Sequence, residues 1–392
     1  MPPMPRIERL AATMTPMMRM IGSKAFARRG TPGVADLMLG NPHELALPAF
    51  IDVLSGNLRP RDASWFAYKL SEPEATGPVA ASLSRSTGLF WDPADIFMTN
   101  AGFGALAVSA RAVTEPGDEV IFLSPPWFFY ELLIAAAEAT PVRVALRAPD
   151  FGLNAEDIAA AITPRTAAVL VNSPHNPTGR VYSLDELRRL ATVLEDASRR
   201  IGRPIYLISD EPYRRIVFDG VVAHSPAEVY ANTIVTYSYA KILLAPGQRL
   251  GYIGLAPTMP DRPAMRQAIQ ICQIATGYAV ADALMQHSAA ELESVGLDLV
   301  RLQARRDRLV GALRAMGYEA SMPAGTFYVM VRSPIDDDVA FSEWLADRDV
   351  LVLPGTIVEL PGWFRLSLTA NDEMVEQALP VFASALRAFV TA

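Results

Sequence analysis

The sequence predicts an α/β protein, with a mostly parallel central sheet covered by helices on both faces and a smaller α+β domain attached. Three observations carry this. Between residue 96 and about residue 255, short runs rich in Val, Ile and Leu alternate with turns or helix-like stretches, the pattern of strands buried on both faces and joined by crossovers. Beyond residue 260 the alternation gives way to a long helical stretch, then to a tail that mixes strands and helices. Unusual polar clusters also stand where several apolar runs stop, and in such sheets ligands bind at the carboxyl ends of the strands.

The apolar runs cover residues 96–98, 119–123, 142–146, 167–171, 205–208, 233–236 and 251–254. Ser183 followed by Glu186 forms a capping box ahead of Leu187 and Leu190, which predicts a helix start there. Residues 278–316, rich in Leu, Ala and Arg, read as a long helical stretch. Strands are expected at 327–331, 350–353 and 364–368, and a closing helix at 374–390. These features divide the chain into a large domain, residues 46–285, and a small domain made of residues 1–45 and 286–392. Repeats, low-complexity blocks and Gly/Ser linkers are missing, so the two parts should pack closely.

With 51% hydrophobic and 20% charged residues, the 392-residue chain has apolar material for a large core and too few charges for disorder. A net charge of -7 gives no basic field, which argues against nucleic acid as a partner. Cys272 stands alone, so no internal disulfide can form, which suits a reducing compartment. No run reaches the roughly 18 apolar residues of a membrane span, and the first ten residues lack the apolar core of a secretory signal. A cytoplasmic protein with no metal site is expected.

Four run ends carry the candidate chemistry. After 96–98 comes Thr99-Asn100-Ala101-Gly102-Phe103-Gly104, a turn that would aim backbone N–H groups at an anion as a helix opens. After 167–171 comes Asn172-Ser173-Pro174-His175-Asn176-Pro177-Thr178-Gly179, and 205–208 ends in Ser209-Asp210-Glu211-Pro212-Tyr213. The run 233–236 ends in Tyr237-Ser238-Tyr239-Ala240-Lys241. Lys241 sits between a buried-strand pattern and Ile242-Leu243-Leu244, so its amine should be partly withdrawn from water. An amine that is neutral part of the time can form an imine with an aldehyde cofactor. Asp210 closes an apolar run and needs a partner. A protonated pyridine nitrogen is one, and the cationic ring then serves as an electron sink.

Two motif readings fail on their companions. Gly102-Phe103-Gly104 opens a G-x-G-x-x-A dinucleotide pattern, but the next run ends in Ser124 where an acidic residue is required. Ser238-Tyr239-Ala240-Lys241 matches S-x-x-K, yet S-D-N and K-T-G occur nowhere in the chain.

The segments 172–179, 209–213 and 238–252 stand in the order and at the separations of three family signatures. The sequence thus resembles the class I/II aminotransferases of fold type I, the aspartate aminotransferase superfamily. The similarity runs from Gly40-Asn41-Pro42 to Phe364-Arg365-Leu366-Ser367. It implies pyridoxal phosphate held as a Schiff base on Lys241, with Lys241 also moving the substrate α-proton. It further implies Asp210 at the pyridine nitrogen, Asn176 and Tyr213 at the phenolic oxygen, and Trp127 stacked on the ring. The phosphate would be held by Ser238, Arg249 and the N–H groups of Gly102 and Phe103. Arg365 would anchor the substrate α-carboxylate as a planar fork, assisted by Gly40 and Asn176. Tyr68 would reach the phosphate of a neighbouring subunit, making a homodimer the active unit.

The sequence departs from the family at three places. Ala101 and Phe103 stand where many relatives place hydroxyl residues, residues 69–75 lack the usual glycine-containing continuation, and residues 273–281 hold no arginine. Without that arginine an aspartate or glutamate preference is not supported, and the stretch 69–75 together with the aromatic set Trp127, Phe128, Phe129 and Tyr130 points to a specialised, biosynthetic substrate. The expected reaction is ping-pong transfer of an amino group between an α-amino acid and a 2-oxo acid. Elimination, decarboxylation or oxidative deamination on the same scaffold is the alternative. A non-catalytic regulator sensing the cofactor would carry a fused DNA-binding domain, and the roughly 40 residues before Gly40 hold no basic helix-turn-helix pattern.

Overall fold

Every apolar run between residues 96 and 255 forms a strand in the computed structural model, which describes residues 4–279 and 281–390. In chain order the strands are β1 Ala35–Asp36, β2 Ile96–Thr99, β3 Glu119–Ser124, β4 Thr140–Ala145, β5 Thr166–Asn172, β6 Tyr206–Asp210, β7 Thr233–Ser238, β8 Gly251–Leu255, β9 Tyr328–Arg332, β10 Val350–Leu351, β11 Leu353–Pro354 and β12 Trp363–Ser367. The central sheet has seven strands in the order β2-β8-β7-β6-β5-β3-β4. Only β8 runs against the others, so the remaining six present their carboxyl ends along one edge.

The continuous apolar character of the runs follows from burial on both faces. In β3 and β5, Ile121, Leu123, Val169 and Val171 pack against Leu187, Leu190 and Leu194 of the helix Leu184–Ile201. Their alternating neighbours Val120, Phe122, Ala168 and Leu170 pack against Leu106, Tyr130 and Ile134 on the opposite face. The helix Leu184–Ile201 begins at the capping box of Ser183 and Glu186 and ends at Gly202 in the left-handed region. One expected doubly buried strand differs: β4 is the sheet edge, and only Val144 in it is buried.

The helical reading of residues 278–316 is corrected to shorter pieces, Ala283–His287, Ala289–Leu292 and Leu299–Met316, with residue 280 outside the described residues. Asp282 and Asp298 restart the backbone by accepting from the Met285 and Arg301 N–H groups. The helix Arg262–Ala275, not foreseen, buries only Met265, Ile269 and Gln273, a stripe too narrow to stand out in the sequence. The expected strand 350–353 splits between two sheets. β10 pairs in parallel with β1, while β11 joins the antiparallel sheet β11-β12-β9.

The N-terminal residues lie with the tail. Met20, Ala25, Val34 and Met38 share an apolar cluster with Met330, Leu351, Leu353 and Trp363. The helix Asp372–Val390 closes the chain, and residues 1–3 and 391–392 lie outside the described residues. Among the described residues no helix is long and apolar enough to cross a membrane.

Candidate active site

A cavity of about 150 Å³ opens at the carboxyl edge of the sheet. Connections from β3 and from β5 leave in opposite directions there, the topological switch point where α/β sheets bind ligands. Nine of the twelve residues expected at the site line it: Gly102, Phe103, Trp127, Asn176, Asp210, Tyr213, Ser238, Lys241 and Arg249. β2, β3, β5, β6 and β7 each deliver a part, because these parallel strands end at one edge.

Asp210 is the last residue of β6 and is buried. Burial pushes its carboxyl up to about 6, against the Tyr130 hydroxyl, which donates to Oδ2 at 2.6 Å, and the Thr236 hydroxyl, which donates to Oδ1 at 3.1 Å. Neither donor was identified from the sequence. Tyr130 was visible there only as one of four aromatic residues, and Thr236 as part of an apolar run. Asn172 is a further omission: its side chain donates to the Asp210 carbonyl at 2.7 Å and accepts the Asn176 N–H at 2.7 Å, fixing two site segments to each other.

Lys241 lies in a short helix, Tyr239–Ile242, directly after β7, with its amine 5.8 Å from the centre of the Tyr213 ring. Burial and the neighbouring Tyr328 hydroxyl hold the Tyr213 phenol well above its ordinary range. Leu244, just beyond, is in the left-handed region at φ 46°. On the other side of the cavity the helix Ala101–Val113 starts at Ala101, itself at φ 61°. A Cβ on Gly102 would stand 3.3 Å from the Ser238 Cβ, and one on Gly251 would stand 2.3 Å from the Tyr237 carbonyl oxygen. The missing side chains thus let the turn, β7 and β8 close up, so that a 13-residue helix starts beside Ser238.

Trp127 follows β3, held edge-on by Phe103, Phe129 and Tyr130 at 5.0 to 5.6 Å. His175 lies within the motif but is buried, bonded to the Thr178 hydroxyl at 2.8 Å and lowered by burial to about 3. It is neutral and shapes the turn.

The remaining expected residues lie outside this cavity. Arg365, in β12, is fully buried over the Tyr328 ring at 3.9 Å. It donates to Asn176 Oδ1 at 3.1 Å and to the Met38 carbonyl at 3.2 Å, while its Nε has no partner. No carboxylate among the described residues forms an ion pair with it; the ionisable groups that act on it are the phenols of Tyr328 and Tyr213. Gly40 lies beside Tyr328 and Phe327, where a Cβ would meet the Tyr328 hydroxyl at 2.5 Å. Tyr68 is 95% exposed and borders a separate surface hollow with Phe66 and Ala67.

The donor set fits a planar, anionic, aldehyde-bearing ring: a buried carboxylate with two donors, an amine opposite, an aromatic wall, and a helix start beside a serine and an arginine. Fold and cavity together define a fold type I enzyme dependent on pyridoxal phosphate. The family model for aminotransferase class I and II matches residues 71–382. The chain belongs to that family and is an aminotransferase. A probable aspartate/prephenate aminotransferase of Thermus aquaticus is 33% identical over 322 residues, 80% of this chain and 82% of its own length. The aspartate/prephenate aminotransferase of Thermus thermophilus is 34% identical over 324 residues, covering 80% and 81%. Among solved structures, an amino transferase from Eubacterium rectale superposes with TM-score 0.90 at 30% identity, covering 99% of both chains. Aspartate aminotransferase from Thermus thermophilus with maleate gives 0.85 at 28% identity, covering 98% of this chain and all of the other.

Proposed function

We propose that this aminotransferase moves the amino group of an α-amino acid to a 2-oxo acid, with Lys241 as its catalytic base and Arg365 as its carboxylate anchor. The observation that carries this reading is the position of Asn176. It lines the cavity with Lys241 and Asp210, and its side-chain oxygen accepts from Arg365, a buried guanidinium that no carboxylate among the described residues pairs with. A buried cation in that state favours a ligand that brings a carboxylate.

Pyridoxal phosphate, when bound, supplies an aldehyde that condenses with amines and a ring that accepts electrons from the substrate α-carbon. Asp210 would hold the ring nitrogen, kept ionised by Tyr130 and Thr236. Asn176 and Tyr213 would donate to the phenolic oxygen, and Trp127 would cover one face. Ser238, Arg249 and the N–H groups of Gly102 and Phe103 would hold the phosphate. Lys241 Nζ takes the proton from the substrate α-carbon, and its tether to β7 keeps it on one side of the cavity. Arg365, Gly40 and Asn176 orient the α-carboxylate and so choose which bond faces the electron sink.

The exposure of Tyr68 supports a role outside its own chain, reaching the phosphate in a homodimer. We also propose the domain division 46–285 against 1–45 with 286–392, a cytoplasmic location and a biosynthetic role. Borohydride reduction of the cofactor-loaded enzyme should leave the label on Lys241, and single-turnover spectra with amino acids should show conversion to the pyridoxamine form. A Lys241→Ala protein that still fixed cofactor on reduction, or release of ammonia and pyruvate in place of that conversion, would overturn the reading.

A further inference from the structure

A second hollow, of about 330 Å³, shares Trp127 with the first and is walled by Met17, Phe128 and Ile357. Met17 and Phe128 pack on the apolar cluster that contains Met38, and the Met38 carbonyl accepts from Arg365. The hollow therefore shares a wall residue with the cavity, and two of its other walls pack on the apolar cluster to which Met38 belongs. Such a place is where the side chain of a ligand anchored at Arg365 would go.

Its charges are informative. Among the described residues Arg143 is the one cation on the lining, and Glu131 and Glu359 line it too. Arg143 Nε donates to Glu359 at 2.9 Å, another of its nitrogens donates to Glu131, and the guanidinium lies 5.3 Å from the centre of the Phe122 ring. The second Glu359 oxygen accepts the Ser124 hydroxyl at 2.9 Å. The cation is therefore engaged on two sides, and the lining carries one positive and two negative groups. A side-chain carboxylate would meet net negative charge and find no free donor of the arginine kind. Phe103 adds an aromatic ring beside Trp127. At the other candidate position, Gln273 is buried and donates to the Met98 carbonyl at 2.9 Å, so it offers no cation either.

We infer that this hollow receives the substrate side chain and selects a large uncharged one, aromatic or aliphatic, over a second carboxylate. The inference rests on the proposed roles of Lys241 and Arg365. Met17 contributes an adaptable thioether to the wall, suited to filling around side chains of different shape.

The test uses the cofactor-loaded enzyme and single-turnover spectra with phenylalanine, leucine, alanine, aspartate, glutamate and lysine. Phenylalanine or leucine should exceed aspartate in kcat/KM by on the order of 100-fold, since an apolar wall and net negative charge both disfavour the carboxylate. Glu359→Gln should leave Arg143 paired with Glu131 alone, remove the net negative charge and raise aspartate or glutamate about 5-fold without changing alanine, a modest effect because the pair is partly exposed. Met17→Ala should lower phenylalanine and leucine about 10-fold and spare alanine. Aspartate or lysine outrunning both large apolar substrates overturns the side-chain assignment and leaves Lys241 and Arg365 in place. So does an unchanged aspartate-to-leucine ratio in Glu359→Gln. If no amino acid reacts, the roles of Lys241 and Arg365 fall, and the assignment falls with them.

Discussion

Replacing Asp210 by Asn tests the electrostatic design of the site most directly. Burial raises the Asp210 carboxyl from 3.8 to about 6. At about 1.36 kcal/mol per pH unit, keeping it ionised inside the fold costs about 3 kcal/mol. Between those two values the folded chain holds a proton that the unfolded chain releases. The stability of the cofactor-free protein should therefore fall as pH rises through that window, and the full cost should be present above about pH 6. Asparagine carries no charge, so Asp210→Asn should lack this slope. With the Tyr130 hydroxyl and Thr236 re-paired to an amide, we expect the cofactor-free variant to gain about 2 kcal/mol over the parent near pH 8 and nothing near pH 4. The loaded enzyme should show the reverse. Without a carboxylate for the ring nitrogen, the stabilisation added by saturating cofactor should shrink, and turnover should drop by on the order of 100-fold or more. Urea midpoints of both forms from about pH 4 to about pH 8 measure this. If the cofactor-free curves run parallel and Asp210→Asn is no more stable than the parent at the alkaline end, the buried-carboxylate argument is wrong.

Three other outcomes follow from the same geometry. Tyr130→Phe removes the 2.6 Å donor that opposes the effect of burial on Asp210. The acid limb of the pH–rate profile should move to higher pH and stability near neutrality should fall by about 1–3 kcal/mol; an unmoved limb would mean that Tyr130 only packs. Arg365→Lys loses the fork that now spans Asn176 and Met38. It should lower kcat/KM on the order of 100-fold for every α-amino acid while leaving reaction with a simple amine unchanged, and equal losses for both would refute carboxylate anchoring. Gly251→Ala places a Cβ 2.3 Å from the Tyr237 carbonyl and 2.7 Å from the Ala101 backbone. Because both obstacles are main chain, an apparent loss of about 3 kcal/mol and weakened phosphate binding are expected by denaturation and cofactor titration.

Much of the candidate site is legible in the sequence. Lys241, Asp210, Asn176, Tyr213 and Ser238 each stand just after an apolar run, and parallel strands deliver such residues to one edge whatever the rest of the chain does. The capping box at Ser183 was equally plain, because it depends only on residues three positions apart. Where the sequence misled, the deciding contact was distant. Residues 278–316 have helical composition throughout, but Gly296 lies against the Ile242 side chain and the Leu297 N–H donates to the Ile242 carbonyl, so the helix breaks there.

The sequence by itself determined the alternation of strands and helices, the edge at which the candidate site residues gather and the family to which the chain belongs. Each depends on periodicity and on residues adjacent in the chain. Only the tertiary structure decided that Tyr130 serves Asp210 from 80 positions away, that Arg365 meets Asn176 across 189, and that Arg143 is engaged by Glu131 and Glu359. It also decided how strongly Asp210 holds its proton. Desolvation and charge pairing are set by what surrounds a group in space, and no local pattern records that.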